Sequence, residues 1–242
     1  MLGKLNFTLS PCPKGVGRAP TQPLIQRAAG ETYSANYAKR NKFSWTPAMA
    51  AMLIFFKALF SNMTPLEFCF REDEWGKLII YSDACQNDIR SGLGLMLIDH
   101  TINHRWFSRG LCPEWLIQTW SSITGIPWFL HSDVISDTQR RQHINDLELL
   151  AVLAVVFTWG PRYMRYRQVV FFVDNTACLV SCVHGYARSP HMTALSNALH
   201  LALAHLRCHG WWEYVPSQTN GPDFPSRLHC AEEDYLFVCL FY

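Results

Sequence analysis

The clearest pattern in the chain is a short apolar run, Val169 to Val173, inside the stretch QVVFFVDNT. Its residues are β-branched or aromatic, and it is too short for a typical helix. Both features predict a fully buried strand. The run ends at Asp174, and a carboxylate directly after a buried strand is costly unless a cation or a hydrogen-bond donor meets it. Lys77 to Asp83 (KLIIYSD) repeats the pattern and also ends in a carboxylate. Gly92 to Asp99 (GLGLMLID) predicts a third strand, Asn103 to Ser108 its hairpin partner, and Trp211 to Pro216 the last strand. Leu147 to Trp159 is apolar nearly all round, as in a buried helix that starts at Asn145 or Asp146 and stops at Gly160-Pro161.

Shorter signals fill the gaps. Thr46-Pro47 reads as an N-cap followed by proline in the first turn, opening a helix to about Phe60. A short helix is expected from Asn175 to His184, and a longer one from Ser189-Pro190 to about Cys208. Residues 1–42 are rich in Pro, Gly and basic side chains and read as mostly extended or loop. Residues 109–142 contain Trp115, Trp120 and Trp128, expected in the core, and the run IPWFL reads as a strand or part of an insertion. Strands in a hairpin run, followed by alternating helices and strands, predict an α/β fold: a mixed sheet with helices on both faces.

The 242 residues allow one large domain or one domain plus a partial one. Charge is unevenly spread. Residues 1–42 hold seven Lys or Arg against one acid, leaving 14 basic and 18 acidic side chains elsewhere. Such an arm suits contact with a polyanion, and a solvated tail explains it equally well. Nine cysteines in no regular pattern, several within apolar runs, point to a reduced, intracellular protein. No membrane segment is expected: the run near Met49 is too short to span a bilayer, and the helix near Leu147 is read as similarly short.

Chemistry concentrates in the acids. Asp83 and Asp174 would emerge at one sheet edge if their strands are parallel neighbours. Glu148 is the only charged side chain between Leu147 and Trp159, so it must be neutral, paired or metal-bound. Asp223 follows the last strand on the turn SQTNGP. Oxygen-only ligands suit Mg²⁺ or Mn²⁺ rather than zinc. Two such ions about 3.5–4 Å apart form the clamp used for displacement at phosphorus. Each acid taken alone has an ordinary reading as a cap, turn or satisfied core group. Cys178, Cys182, His184 and His191 match no common zinc spacing and read as core, and His205, Cys208 and His209 sit at a helix end. RYMRYR (Arg162 to Arg167) could contact phosphates or serve as a solvated linker. Asn175, Arg188 and Ser189 are candidate nucleic-acid contacts, with helix capping as the alternative for Asn175 and Ser189.

YSDA with Asp83, ELLAV with Glu148, FVDN with Asp174 and YVPSQTNGPDFPSR with Asp223 resemble the ribonuclease H domain of retrotransposon reverse transcriptases, DIRS-like or related. The resemblance implies a ribonuclease H-like five-stranded mixed sheet with helices on both faces, preceded by a partly helical N-terminal segment. It implies that Asp83, Glu148, Asp174 and Asp223 hold two Mg²⁺ (or Mn²⁺) ions and cleave the RNA strand of an RNA–DNA hybrid. The segment GKLNFTLSPCPKGVGRAPTQPLIQRA and the helix after it look like the end of a reverse-transcriptase thumb and connection. The expected division is therefore residues 1–72 as that remnant, 73–230 as the ribonuclease H-like domain and 231–242 as an apolar tail. The polymerase portion of the same polyprotein is an expected partner. The chain departs from the family pattern in three places: Ala84 follows the first acid, Glu148 lies 65 positions after Asp83, and the loop before Asp223 has no His. The last departure leaves an alternative, a catalytically decayed module that binds nucleic acid without cutting it.

Overall fold

The computed structural model describes residues 16–28, 47–62, 78–86, 91–128 and 137–221. The elements in chain order are α1 (Arg18–Ala28), α2 (Pro47–Asn62), β1 (Leu78–Gln86), β2 (Ser91–Asp99), β3 (His104–Leu111) and α3 (Glu114–Thr124). There follow α4 (Asp137–Trp159), a π-helical turn (Gly160–Met164), β4 (Gln168–Val173), α5 (Thr176–His184), α6 (Pro190–His205) and β5 (His209–Tyr214).

The five strands form one mixed sheet in the order β3-β2-β1-β4-β5. β2 runs antiparallel to both β1 and β3, whereas β4 is parallel to both β1 and β5. This is the five-stranded mixed α/β architecture expected from the sequence. The β1–β4 pairing places Leu78 beside Val169 and Tyr81 beside Phe172. Joining parallel neighbours requires a crossover, and β2, β3, α3 and α4 supply it.

The core follows from alternation along the strands. Leu78, Ile80, Leu93, Leu95, Leu97, Val169, Phe171 and Val173 are buried together with the apolar residues of α4, α5 and α6. α4 packs on β1 and β2 on one side and on α6 on the other, and every residue from Asp146 to Val156 is buried. Leu147 and the run Leu149–Val156 are all buried, which is why a one-sided apolar stripe is missing from this helix. His143–Met164 is long and apolar enough to cross a bilayer by length and composition, longer than the sequence reading allowed, and 72% of its apolar window is buried inside the protein. At its end, a Cβ on Gly160 would lie 2.6 Å from Leu206 Cδ1, so the absence of a side chain lets α4 close onto the end of α6.

Several boundaries differ from expectation. α1 is a helix where a loop is expected; Pro20 sits in its first turn, where the missing N–H has no helical partner to lose. Leu24 of α1 packs with Met52 and Phe56 of α2, and α1 also lies against α6. That packing stabilises a segment whose composition alone suggests none. β1 continues past Asp83 to Gln86, because β2 pairs with it as far as Ser91. α4 begins at Asp137, ahead of the apolar run, in a sequence with helix-forming Gln and Arg. The Trp-containing segment forms α3, ended by Gly125 at φ 68°, with Trp128 buried after it and Trp115 48% exposed. Phe129 and Leu130 of IPWFL lie outside the described residues. Trp115 therefore departs from its expected place in the core, since α3 buries only Leu116 and Ile117.

Candidate active site

Register brings two of the acids together. Tyr81 pairs with Phe172 in the parallel β1–β4 ladder, and the same offset sets Asp83 against Asp174, both just past the last paired residues. Glu148 comes from α4, which lies across β1. Ligand oxygens of Asp83, Glu148 and Asp174 all fall within 4.8 Å of one another. Asp83 is 4% exposed, Glu148 6%, and Asp174 half-buried.

Three ionised carboxylates at this separation repel by about 3 kcal/mol per pair at an effective dielectric of about 20. Only a cation or protonation relieves that repulsion. The buried Asp174 Oδ1 accepts no hydrogen bond. An unsatisfied buried oxygen amid like charge is what a hard divalent cation would complete. The donor set fits Mg²⁺ or Mn²⁺. It forms the one such three-ligand group among the described residues, and neither Cys178–His191 nor His205–His209 forms another. Cys178 and Cys182 are fully buried in the core. The Cys178 thiol is pushed well up, first by burial, then by Cys182 and by the nearby Glu148 and Asp174 carboxylates.

The surrounding polar groups fasten the acids in place. Asn175 caps α5, its Oδ1 accepting from the Cys178 N–H at 3.0 Å. Its Nδ2 donates to Asn145 Oδ1 at 2.8 Å, tying the turn after Asp174 to the helix that carries Glu148. Ser189 caps α6 through the Met192 N–H and donates to Asp146 Oδ1 at 3.0 Å. Arg188 is exposed beside it. Asp223 lies outside the described residues. Three positions before it, Asn220 is 4% exposed and donates to the Ser82 carbonyl at 3.2 Å, immediately beside Asp83.

The sequence reading did not single out Asn145, Asp146 or Asn220. The first two stood only as a helix start, and their signal was present: two short polar residues ahead of a buried acid, with no solvent-facing stripe to hold them. RYMRYR divides. Arg167 is committed to Asp99, with Nη2 donating to Asp99 Oδ1 at 3.0 Å and to Thr101 Oγ1 at 2.8 Å, while Arg162 stacks over Tyr163.

No family model matches the chain, and no curated protein matches it. Solved structures similar to it include the RNase H1 of the halophilic archaeon Halobacterium salinarum, at 12% identity and a TM-score of 0.42, covering 61% of this chain and 91% of that one. Another is the N-terminal RNase H domain of a Mycobacterium tuberculosis protein, at 11% identity and a TM-score of 0.40, covering 60% and 85%. A third is LC11-RNase H1, at 13% identity and a TM-score of 0.39, covering 62% and 93%, solved in complex with an RNA/DNA hybrid.

Proposed function

We propose that the chain is a metal-dependent phosphodiesterase of the ribonuclease H type, hydrolysing the RNA strand of RNA–DNA hybrids. The observation that carries this reading is the convergence of Asp83, Glu148 and Asp174 within 4.8 Å, with the buried Asp174 Oδ1 accepting no hydrogen bond. Asp83 and Asp174 would contact both ions, and Glu148 and Asp223 one each. When bound, the ions supply an activated water and stabilise the leaving oxygen of an in-line displacement. The protein's own contribution is rigidity. Asp83 and Asp174 are fixed by paired strands, and Glu148 by a helix enclosed on all sides. Asn220, three positions before Asp223, anchors the chain beside Asp83.

In this reading the exposed Arg188 contacts a phosphate from the start of α6, whereas Asn175 and Ser189 act mainly through the caps and cross-links that hold the site. The retroelement setting rests on the four acidic motifs and on the N-terminal segment, whose helix α1 packs on both α2 and α6.

The deciding experiment is cleavage of an end-labelled RNA–DNA hybrid in Mg²⁺, with the Asp174→Asn variant alongside. Loss of cutting in the variant is expected; equal cutting would sink the assignment. The loop before Asp223 lacks a His, which favours a second reading, a module that binds the hybrid without cleaving it. Binding by the parent with no product in either Mg²⁺ or Mn²⁺ would establish that instead.

A further inference from the structure

The end of the sheet opposite the acids is basic, and the segment RYMRYR crosses it. Register puts His104, Asp99, Leu78, Val169 and Gly210 in one row across all five strands. Asp83 stands further along β1, about 17 Å from that row. Three segments border the row: 100–105 after β2, 160–167 before β4 and 204–209 before β5. They hold Arg105, Arg162, Arg165, Arg167 and Arg207 and no acid. Residues 162–167 run from one edge of the sheet towards the other. Tyr163 packs on Trp106 of β3, Arg167 holds Asp99 and Thr101, and the Tyr166 N–H donates to the Leu206 carbonyl at 3.0 Å ahead of β5.

These arginines are not equally available. Arg167 is committed to Asp99, and Arg207 is half-buried with further contacts. Arg162 and Arg165 are exposed, and neither forms an ion pair with a described residue. Tyr166 between them and Arg207 is the anomaly. It is 63% exposed and sits at φ 60°, where glycine would serve the turn without steric cost. Arg207, at φ 50°, repeats this, and its guanidinium lies 5.5 Å from the centre of the Tyr166 ring. Arg162 lies over Tyr163 in the same way, at 5.2 Å. A turn alone calls for neither ring nor guanidinium at these positions. A guanidinium against a tyrosine keeps its edge N–H groups for a phosphate, and an exposed tyrosine ring takes a stacked base. An acidic peptide would meet the arginines but has no use for the ring.

We propose that the Arg162–Arg165–Tyr166 surface binds a single-stranded nucleic-acid segment, with phosphates on the arginines and a base on Tyr166. The surface is remote from the acids, and its binding stands whether or not they cleave. Anisotropy of a fluorescent single-stranded DNA of about 12 nucleotides is measured in EDTA for the parent, Arg165→Ala, Tyr166→Gly and Asp174→Asn. Both loop side chains are exposed and glycine suits φ 60°, so unchanged melting curves will show that the fold is intact. Tyr166→Gly is expected to bind about tenfold more weakly. Arg165→Ala is expected to lower the slope of log K against log salt by about 0.7. Asp174→Asn, at the other end of the sheet, is expected to bind as the parent does. Equal affinity and slope in both loop variants, or a parent that binds no DNA, overturn the proposal. So does a loss in Asp174→Asn as large as in Tyr166→Gly, which would place the DNA at the acids. A fall with Arg165→Ala and none with Tyr166→Gly overturns it as well, and marks the surface for an acidic protein segment.

Discussion

The side-chain amide of Asn175 donates a 2.8 Å hydrogen bond to Asn145 Oδ1, joining the residue after Asp174 to the turn of α4 that precedes Glu148. The two asparagines thereby set the spacing of two acids that come from different elements. Asn145→Ala removes this bond alone, at about 1 kcal/mol. Asn175→Ala removes the bond and the α5 cap together, at about 2 kcal/mol in sum. Thermal melts should rank the two variants in that order. A larger fall in cleavage than in stability for Asn145→Ala would mark the bond as positioning the site.

Charge crowding at the acids gives a metal-linked prediction. A ligand that binds only the folded state raises its melting temperature by mass action. Mg²⁺ or Mn²⁺ should stabilise the parent, and should stabilise Asp174→Asn much less. Without metal, Asp174→Asn should be at least as stable as the parent, because one of the repelling charges is gone. Calorimetry with and without the ion checks both halves.

At the other end of the sheet, Arg167 holds the buried Asp99 carboxylate well below its ordinary 3.8, at about 2. Asp99 ends β2 and Arg167 precedes β4, so the pair ties the hairpin to the central strand. A carboxyl lowered on folding contributes stability that is fully present above the unfolded value and lost as pH falls through the folded one. The contribution is about 2 kcal/mol, and it should fade between about pH 4 and about pH 2. Asp99→Asn should destabilise at neutral pH and flatten that limb of the pH–stability curve.

Thiol reactivity should follow burial. Cys112 and Cys208 are buried and pushed up to about 12, and burial, then Cys182 and the nearby acids, also push the Cys178 thiol well up. Cys85 is half-buried at the end of β1. Brief alkylation of the native protein at mildly alkaline pH, read by peptide mass spectrometry, should label Cys85 first among these, with the others reacting only after unfolding.

The residues that local chemistry governs were read correctly from the chain. The run from Val169 to Val173 is a strand because branched and aromatic side chains leave it few other options, although Val170 and Phe172 are half-buried rather than fully buried as expected. Asn175 and Ser189-Pro190 open helices because each presents an oxygen to an otherwise unpartnered N–H. The buried position of Glu148 was legible because a lone acid in an apolar helix has nowhere else to go. α1 and α3 were not legible. α1 depends on Leu24 meeting Met52 and Phe56, and α3 on burying Leu116 and Ile117 while leaving Trp115 outside.

By itself, then, the sequence determined which segments are strands, where the acids fall and which helix must be enclosed, since these follow from propensity and from the cost of burying charge. Tertiary structure alone decided that β1 and β4 are parallel neighbours in the register that sets Asp83 against Asp174. Strand partners lie far apart in the chain, and their choice depends on packing across the whole core, which no local pattern encodes.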